Sequence, residues 1–231
     1  QVATALTAGA DGTIAATDYT AALALMQNYA GVSVVLCPES LEDTVAAAAQ
    51  ATLNAAMVTA AAAASDRIFL TWSGIYSNTP SSEVSAVASQ VTTRNERLVW
   101  CYNPAKTLDP VTAAEVETGP HVWLASILSQ VNVDVHPGAF ETRKILAGIR
   151  SLRQESLSRA SLISLRNAGI STLEKVTGDF QFRDAISTIL DASRREITRR
   201  RSADVINLSS VQCLAPFVKA KSTEANRAVM T

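Results

Sequence analysis

The chain has 231 residues, of which 48% are hydrophobic and 18% are charged, and its net charge is −1. This length predicts one large domain, or a core with a smaller lobe, and it allows a sizeable apolar core. The balanced charge excludes a strong electrostatic preference for nucleic acid or for an anionic membrane. The longest apolar stretch, residues 45–64, is mostly alanine, which is too weakly apolar to hold a helix in lipid.

The first half of the chain alternates between helix and strand patterns. Helices are predicted over residues 18–29, 41–64 and 80–94, and short buried strands over residues 32–37, 67–72 and 98–102. This order with short connections predicts right-handed crossovers and a largely parallel sheet that helices cover on both faces.

The second half is less regular. Residues 106–120 are polar and predict loops, followed by a helix over 119–131, a Pro/Gly turn over 134–140, a helix over 156–167 that Gly169 ends, and a long helix over 197–218. Strands over 173–177 and 180–186 flank Gly178-Asp179, which predicts a hairpin.

The predicted fold class is α/β, with a mixed, partly parallel sheet flanked by helices and a smaller irregular α+β region after it. We expect residues 1–105 to form the first part of the core and residues 106–140 to connect it to the rest. Residues 141–231 are expected to form the C-terminal part of the core, with the hairpin and an arginine-rich helix.

Doubly wound sheets bind ligands at the carboxyl ends of their strands, where the motif of a catalytic site would be expected. The sequence has no dinucleotide fingerprint and no phosphate loop, and Thr71 stands where a nucleophile elbow at Ser73 would need glycine. An α/β enzyme that uses a pocket near Cys37, Ser73 and Tyr102 remains the alternative hypothesis.

Metal and acid–base chemistry have little support in the sequence. His121, His136 and Cys101 lie far apart, without the spacing of a metal motif. Glu115 and Glu117 lie two residues apart in a predicted loop, with no partner framework for general acid–base work. We therefore assign no catalytic residue, no cofactor and no metal ligand.

Five arginines near the start of the last helix form the strongest charge feature. They are Arg194, Arg195, Arg199, Arg200 and Arg201. The N-terminal end of a helix dipole repels cations, so this placement has a local cost. The cost indicates that the charge serves an acidic partner, and an acidic protein surface is favoured. A nucleic-acid-binding module is a second alternative, although no stacking aromatics lie among the arginines. The other reading is a solvated helix start without a partner.

Several segments, in chain order, resemble the contractile tail sheath family of tailed phages and related contractile particles. Residues 6–12 (LTAGADG) are similar to the family's Gly-Gly-x-Asp-Gly loop, and residues 97–104 (RLVWCYNP) resemble a later core strand. Residues 119–126 (GPHVWLAS) resemble a proline-containing helix start. Near the end of the chain, residues 165–170 (LRNAGI) and 199–206 (RRRSADVI) resemble an Ala-Gly-Ile helix end and an Arg-Arg-x-x-Asp helix.

This resemblance implies a structural protein of the virion and no enzyme. Copies of the chain would polymerise helically around a tail tube and contract, to drive the tube through the host envelope during genome delivery. The implied partners are other copies of the chain, the tail tube protein, and baseplate and tail terminator proteins, with no direct nucleic acid and no membrane insertion. The five arginines are candidates for contacts between subunits or with the tube.

The resemblance also implies a late protein that is made in the bacterial host cytoplasm and ends up in the phage tail. Contractile bacteriocins would have the same sequence features. Members of the family have a further C-terminal region and an extended arm that pairs with the sheets of neighbours, so we expect this chain to be a piece of a longer protein. Such a piece alone is expected to be monomeric.

Overall fold

The computed structural model describes residues 16–26, 32–36, 47–64, 66–73 and 80–218. The helices are α1 (Ala16–Met26), α2 (Ala47–Ala63), α3 (Pro80–Gln90), α4 (Pro120–Gln130), α5 (Arg159–Ala168) and α6 (Ile197–Val218), with a 3₁₀ helix at Phe140–Leu146. The strands are β1 (Val34–Leu36), β2 (Ile68–Trp72), β3 (Leu98–Tyr102), β4 (Ala105–Leu108), β5 (Glu115–Thr118), β6 (Ser151–Leu152), β7 (Ile170–Val176) and β8 (Asp179–Phe182).

A five-stranded sheet in the order β1-β2-β3-β7-β8 forms the centre of the molecule. The first four strands are parallel, and β8 returns antiparallel to β7. Every residue of β2 and β3 is buried. Continuous apolar strands of this kind are typical of a parallel sheet that is covered on both faces. The expected fold class, a mixed and partly parallel sheet flanked by helices, is confirmed.

The two faces of the sheet carry two separate cores. Alternate residues of a strand point to opposite faces, so Leu70 and Val99 pack with α4, the 3₁₀ helix and β8. Their strand neighbours Phe69 and Leu98 pack with α2, α3 and α5 on the other face.

The prediction of loops over residues 106–120 was wrong. Strands β4 and β5 pair antiparallel from Ala105 opposite Thr118 to Leu108 opposite Glu115, and β6 pairs with the start of β4. These strands form a second, three-stranded sheet. The sequence hid β5 because Val116 is its one large apolar residue, and that side chain is itself exposed.

The remaining elements agree with the predictions in kind, with shifted boundaries. Strand β3 and helix α6 have the predicted bounds. Helix α5 begins three residues late, because Ser158 caps it by accepting a hydrogen bond from the Ser161 amide. The predicted β7–β8 hairpin is present, and its turn is Thr177-Gly178, both with positive φ. The end of the first predicted helix, Cys37 and residues 41–46 lie outside the described residues.

Candidate interaction site at the start of α6

Backbone contacts attach the start of α6 to the chain that follows β8. Ile186 forms an isolated antiparallel bridge with Glu196, and the Ser187 amide donates to the Arg195 carbonyl at 2.8 Å. The Ile197 amide donates to the Ala185 carbonyl at 3.2 Å, and the Ile197 side chain is buried in the core. The arginines of this region are therefore held at a fixed place beside the sheet.

An ion-pair network joins α6 to the segment that leads into β3. The Arg97 guanidinium donates to both carboxylate oxygens of Asp204, at 2.9 and 2.8 Å. Arg200 contacts Asp204 at 2.5 Å and Glu96 at 2.9 Å, and Arg194 contacts Glu96 at 2.5 Å. This network cross-links α6 to the core.

Burial and charge act in opposite directions on Asp204. Burial alone would raise the pKa of this carboxyl, but hydrogen bonds from Arg97 and Arg200 outweigh it and hold the pKa below its usual value. The same contact with Asp204 raises the pKa of Arg200. The side chains of Arg97 and Asp204 are only 7% and 13% exposed, so solvent screens this pair little.

Arg201 is placed where a helix dipole favours it. Its Nη2 donates to the Leu128 carbonyl at 2.8 Å and lies 3.5 Å from the Val131 carbonyl, at the C-terminal end of α4. Cations are stabilised at such ends. Helix α4 thus offsets the electrostatic cost of placing Arg201 near the start of α6. Burial acts in the opposite direction and lowers the pKa of Arg201.

Arg195 and Arg199, the other two arginines of the cluster, differ in exposure. Arg195 is half-buried, and burial, aided by the nearby charges of Arg166 and Arg94, lowers its pKa. Arg199 is 59% exposed and contacts Glu196 at 3.3 Å on the helix surface. A surface pair of this kind contributes little to stability, so Arg199 is available to a partner.

The structure brings all five predicted arginines together and divides them by role. Arg200 and Arg201 are tied within the chain, whereas Arg194 and Arg199 are more than half exposed. Sequence reasoning missed the carboxylate of Glu96, and it noted Asp204 only as part of the Arg-Arg-x-x-Asp resemblance, without a role. The spacing of four residues from Arg200 to Asp204 was the available signal for that role. Contact of these arginines with a partner stays a prediction.

The second half of α6 has an unusual surface. The ten residues from Val205 to Leu214 are all exposed, and none of them is charged. Val205, Ile206, Leu208, Val211 and Leu214 are its large apolar side chains, and they are distributed around the helix. A helix that is apolar on all sides is normally buried, so this segment favours a contact outside the described chain.

Two of the three residues proposed for an enzyme pocket lie in the core. Ser73 and Tyr102 are buried, and Cys37 lies outside the described residues. The Tyr102 hydroxyl accepts a hydrogen bond from the Gln154 amide at 2.7 Å, and the same amide contacts the Glu83 carboxylate at 3.2 Å. Burial raises the pKa of Glu83 and of Tyr102. This cluster lies inside the core and connects α3 to β3.

The two histidines occupy structural positions. His121 is buried and stacks on Trp72, with ring centroids 6.1 Å apart. His136 accepts a hydrogen bond from the Gly138 amide at 3.0 Å. In the part of the chain that the structure describes, no three His, Cys, Asp or Glu side chains are placed to hold a metal ion. No helix within the described ranges is long and apolar enough to cross a membrane.

The fold matches solved structures of contractile particles. One is the anti-feeding prophage baseplate, with a TM-score of 0.65 and 14% identity, covering 91% of this chain and 53% of that one. A sheath tail protein from Desulfitobacterium hafniense has a TM-score of 0.64 and 14% identity, covering 90% and 45%. The contracted helical sheath of the anti-feeding prophage has a TM-score of 0.63 and 15% identity, covering 90% and 54%.

No family model and no curated protein sequence matches the chain. The chain spans about half the length of the solved structures that it matches. At this low identity the likeness shows the fold, and it extends over nine-tenths of the chain. The resemblance noted in the sequence is therefore confirmed at the level of the fold, which is that of contractile sheath proteins.

Proposed function

We propose that this chain is part of a structural subunit of a contractile tail sheath, and that it acts without catalysis. Copies of it assemble helically around a tail tube, and contraction of the assembly drives the tube through the host envelope. The fold match to sheath structures over 90% of the chain carries this proposal. The exposed, uncharged half of α6 supports it, because such a surface needs a partner.

The partners follow from the same proposal. They are other copies of the chain, the tail tube protein, and the baseplate and tail terminator proteins of a phage tail or related particle. Among the five arginines, Arg194 and Arg199 supply the contact, since they are the most exposed. Arg200 and Arg201 hold the helix in place beneath them through contacts within the chain.

Electron microscopy of the full-length protein, expressed alone and with its tube protein, tests the function. Tubes or rings are the expected result. A protein that stays monomeric in sedimentation at every salt and protein concentration, and that is absent from purified tubular particles, would refute the proposal.

The arginine contact has its own test. Reversing the charge at Arg194 and Arg199 should reduce tube formation, because both side chains are more than half exposed. Arg199 forms a surface pair that contributes little to the fold, whereas Arg194 also pairs with Glu96, so circular dichroism must show that the variant is folded. Arg159→Glu on α5, also an exposed position, is the matched control and should assemble normally. Equal assembly of all three proteins would remove the arginines from the interface.

A further inference from the structure

A hairpin with an apolar tip projects from the body of the molecule. The tip hairpin consists of β4, β5 and their connection, and its residues from Pro110 to Val116 are all exposed. Val111 at the tip is 89% exposed. A single exposed valine is ordinary, but this one is held at the end of a projection.

Hydrogen bonds to Asp109 fix the shape of the tip. The Asp109 carboxylate accepts from the Val111 amide at 2.8 Å and from the Thr112 hydroxyl at 2.6 Å. The Asp109 backbone pairs with Ala114 and Ala113, both at 2.9 Å. Because the tip is already ordered, a contact made by Val111 loses little conformational entropy.

The base of the hairpin lies at the carboxyl end of the parallel sheet. Only two residues separate the end of β3 from the start of β4. Arg153 contacts Glu117 of β5 at 3.1 Å, and Glu83, near the start of α3, at 3.6 Å. Since α3 follows β2, these ion pairs fasten the hairpin to the end of the sheet where β2 and β3 finish.

An apolar groove lies at the other end of the sheet. The root groove has a volume of about 180 Å³ and runs between the first residues of β1 and β2 and the root of α6. Its apolar lining comes from Val32, Ile68, Val133, Val205 and Leu208. A cavity of about 150 Å³ holds a benzene molecule, so the groove has room for a valine side chain.

The course of helix α4 shows that the hairpin and the groove lie at opposite ends of the central sheet. It begins at Pro120, directly after β5, and ends at Gln130, three residues before Val133 in the groove. Eleven residues of α-helix span roughly 16 Å. A projection at one end of a molecule and a groove at the other permit head-to-tail contact, which forms an open helical array if the rotation does not close.

The charges of the two surfaces are complementary. From Asp109 to Thr118 the hairpin carries three acidic residues, Asp109, Glu115 and Glu117, and no basic one. Glu117 is paired with Arg153, and Lys106 lies nearer the base on β4, so among the described residues the unpaired acidic charge of the hairpin is at Asp109 and Glu115, beside the tip.

The groove wall contains the charged side chains of Arg201, Asp66 and Asp204. Both carboxylates are paired with arginines of the chain, Asp66 with Arg67 and Asp204 with Arg97 and Arg200, whereas Arg201 donates to a backbone carbonyl. When the apolar tip enters the groove, Asp109 and Glu115 beside it would meet the positive charge of Arg201.

We propose that the tip hairpin of one copy inserts Val111 into the root groove of the next copy. The proposal rests on the proposed function, since it names one of the contacts through which copies associate. It also places acidic side chains of a neighbouring copy beside Arg201, one of the five arginines. The exposed half of α6 begins with Val205 and Leu208, which line the groove, so the incoming hairpin also covers part of this helix.

Single substitutions in the full-length protein test the contact by sedimentation over a range of concentrations. Val111→Asp and Leu208→Asp should each weaken association at least about tenfold, since a buried valine or leucine contributes that much. Ile163→Asp is the matched control, because Ile163 is an exposed apolar residue on α5, and it should change nothing. Circular dichroism checks that each variant folds.

Disulfide formation identifies the geometry independently. In a background with Cys37→Ser and Cys213→Ser, a chain with Val111→Cys is mixed with a chain with Leu208→Cys. A cross-link between the two chains is expected, with none when Ile163→Cys replaces the second chain. A cross-link between two copies that both carry Val111→Cys would overturn the proposal, as would the lack of any cross-link between associated chains.

The two proposals can fail separately. If the Val111→Asp protein forms tubes as readily as the unchanged protein, the hairpin contact is wrong and the sheath function stands. If the unchanged full-length protein forms no tubes and no oligomers, both proposals are wrong.

Discussion

The pair of Arg97 and Asp204 allows a strong prediction about what holds α6 to the core. Replacing Asp204 with alanine removes the carboxylate that both Arg97 and Arg200 contact. Arg200 retains Glu96 at 2.9 Å, but Arg97 is left with a nearly buried guanidinium and without its carboxylate partner. The loss should therefore come mainly from the desolvated charge of Arg97.

The expected magnitude follows from the burial of the pair. Removing one partner of a buried ion pair costs about 3–5 kcal/mol, whereas replacing both partners by apolar residues of similar size is close to neutral. We expect Asp204→Ala to lower the free energy of unfolding by about 3 kcal/mol. This value is at the low end of that range because the Asp204 side chain is 13% exposed and therefore not fully desolvated. The double variant Arg97→Met with Asp204→Leu should lose less than about 1.5 kcal/mol.

Urea unfolding followed by circular dichroism at neutral pH measures both values. Arg199→Ala is the matched control, since it removes an exposed arginine of the same helix and should cost less than about 0.5 kcal/mol. The reasoning is refuted if Asp204→Ala costs no more than this control, or if the double variant is less stable than the single one. The lowered pKa of Asp204 also predicts how stability depends on pH. The stability that this carboxylate contributes is fully present above its unfolded pKa of 3.8 and is lost as pH falls through the lower folded pKa.

Three further predictions concern single positions. In urea unfolding, Gly169→Ala should cost about 2–4 kcal/mol and Gly178→Ala about 1 kcal/mol. Both glycines have positive φ, but of the two only Gly169 would place a Cβ within 2.9 Å of backbone. Equal losses for the two variants would contradict this close contact. Glu83→Gln should flatten the pH dependence of stability. The raised pKa of Glu83 adds stability that is complete below its unfolded value of 4.5 and is lost as pH rises through the folded value, so an unchanged pH profile argues against burial of the charge. A thiol reagent should modify the exposed Cys213 in the native protein, but Cys101 only after unfolding. Cys101 is buried, and burial raises the pKa of its thiol, so little reactive thiolate forms. Labelling of Cys101 in the native protein would show that the core opens.

Hydrophobic patterning predicted the central sheet well. Residues 98–102 form β3 with the predicted bounds because every side chain is apolar and every one is buried. Pairing of β3 with β7 could not be read from periodicity, since it joins segments that are far apart in the sequence. The polar hairpin at residues 105–118 was missed because its strands lie at the surface, where hydrogen bonding and not burial defines them.

The candidate site was predicted in position but not in detail. The run of arginines at 199–201 is visible in the sequence, and so is the uncharged segment that follows it. Which arginine contacts which group depends on tertiary packing, which brings Glu96 and the end of α4 beside α6. The separation between buried and exposed arginines required the structure for the same reason.

The placement of β7 between β3 and β8 has a consequence for synthesis of the protein. Ile170 follows Tyr102 by 68 positions, and until β7 is made, the apolar strand β3 has one edge without its neighbour. At about 5–20 residues per second, a ribosome needs roughly 3–14 s to cover this distance. Nascent chains are therefore exposed to edge-to-edge aggregation during that interval, and slower translation between the two strands would lengthen the risk.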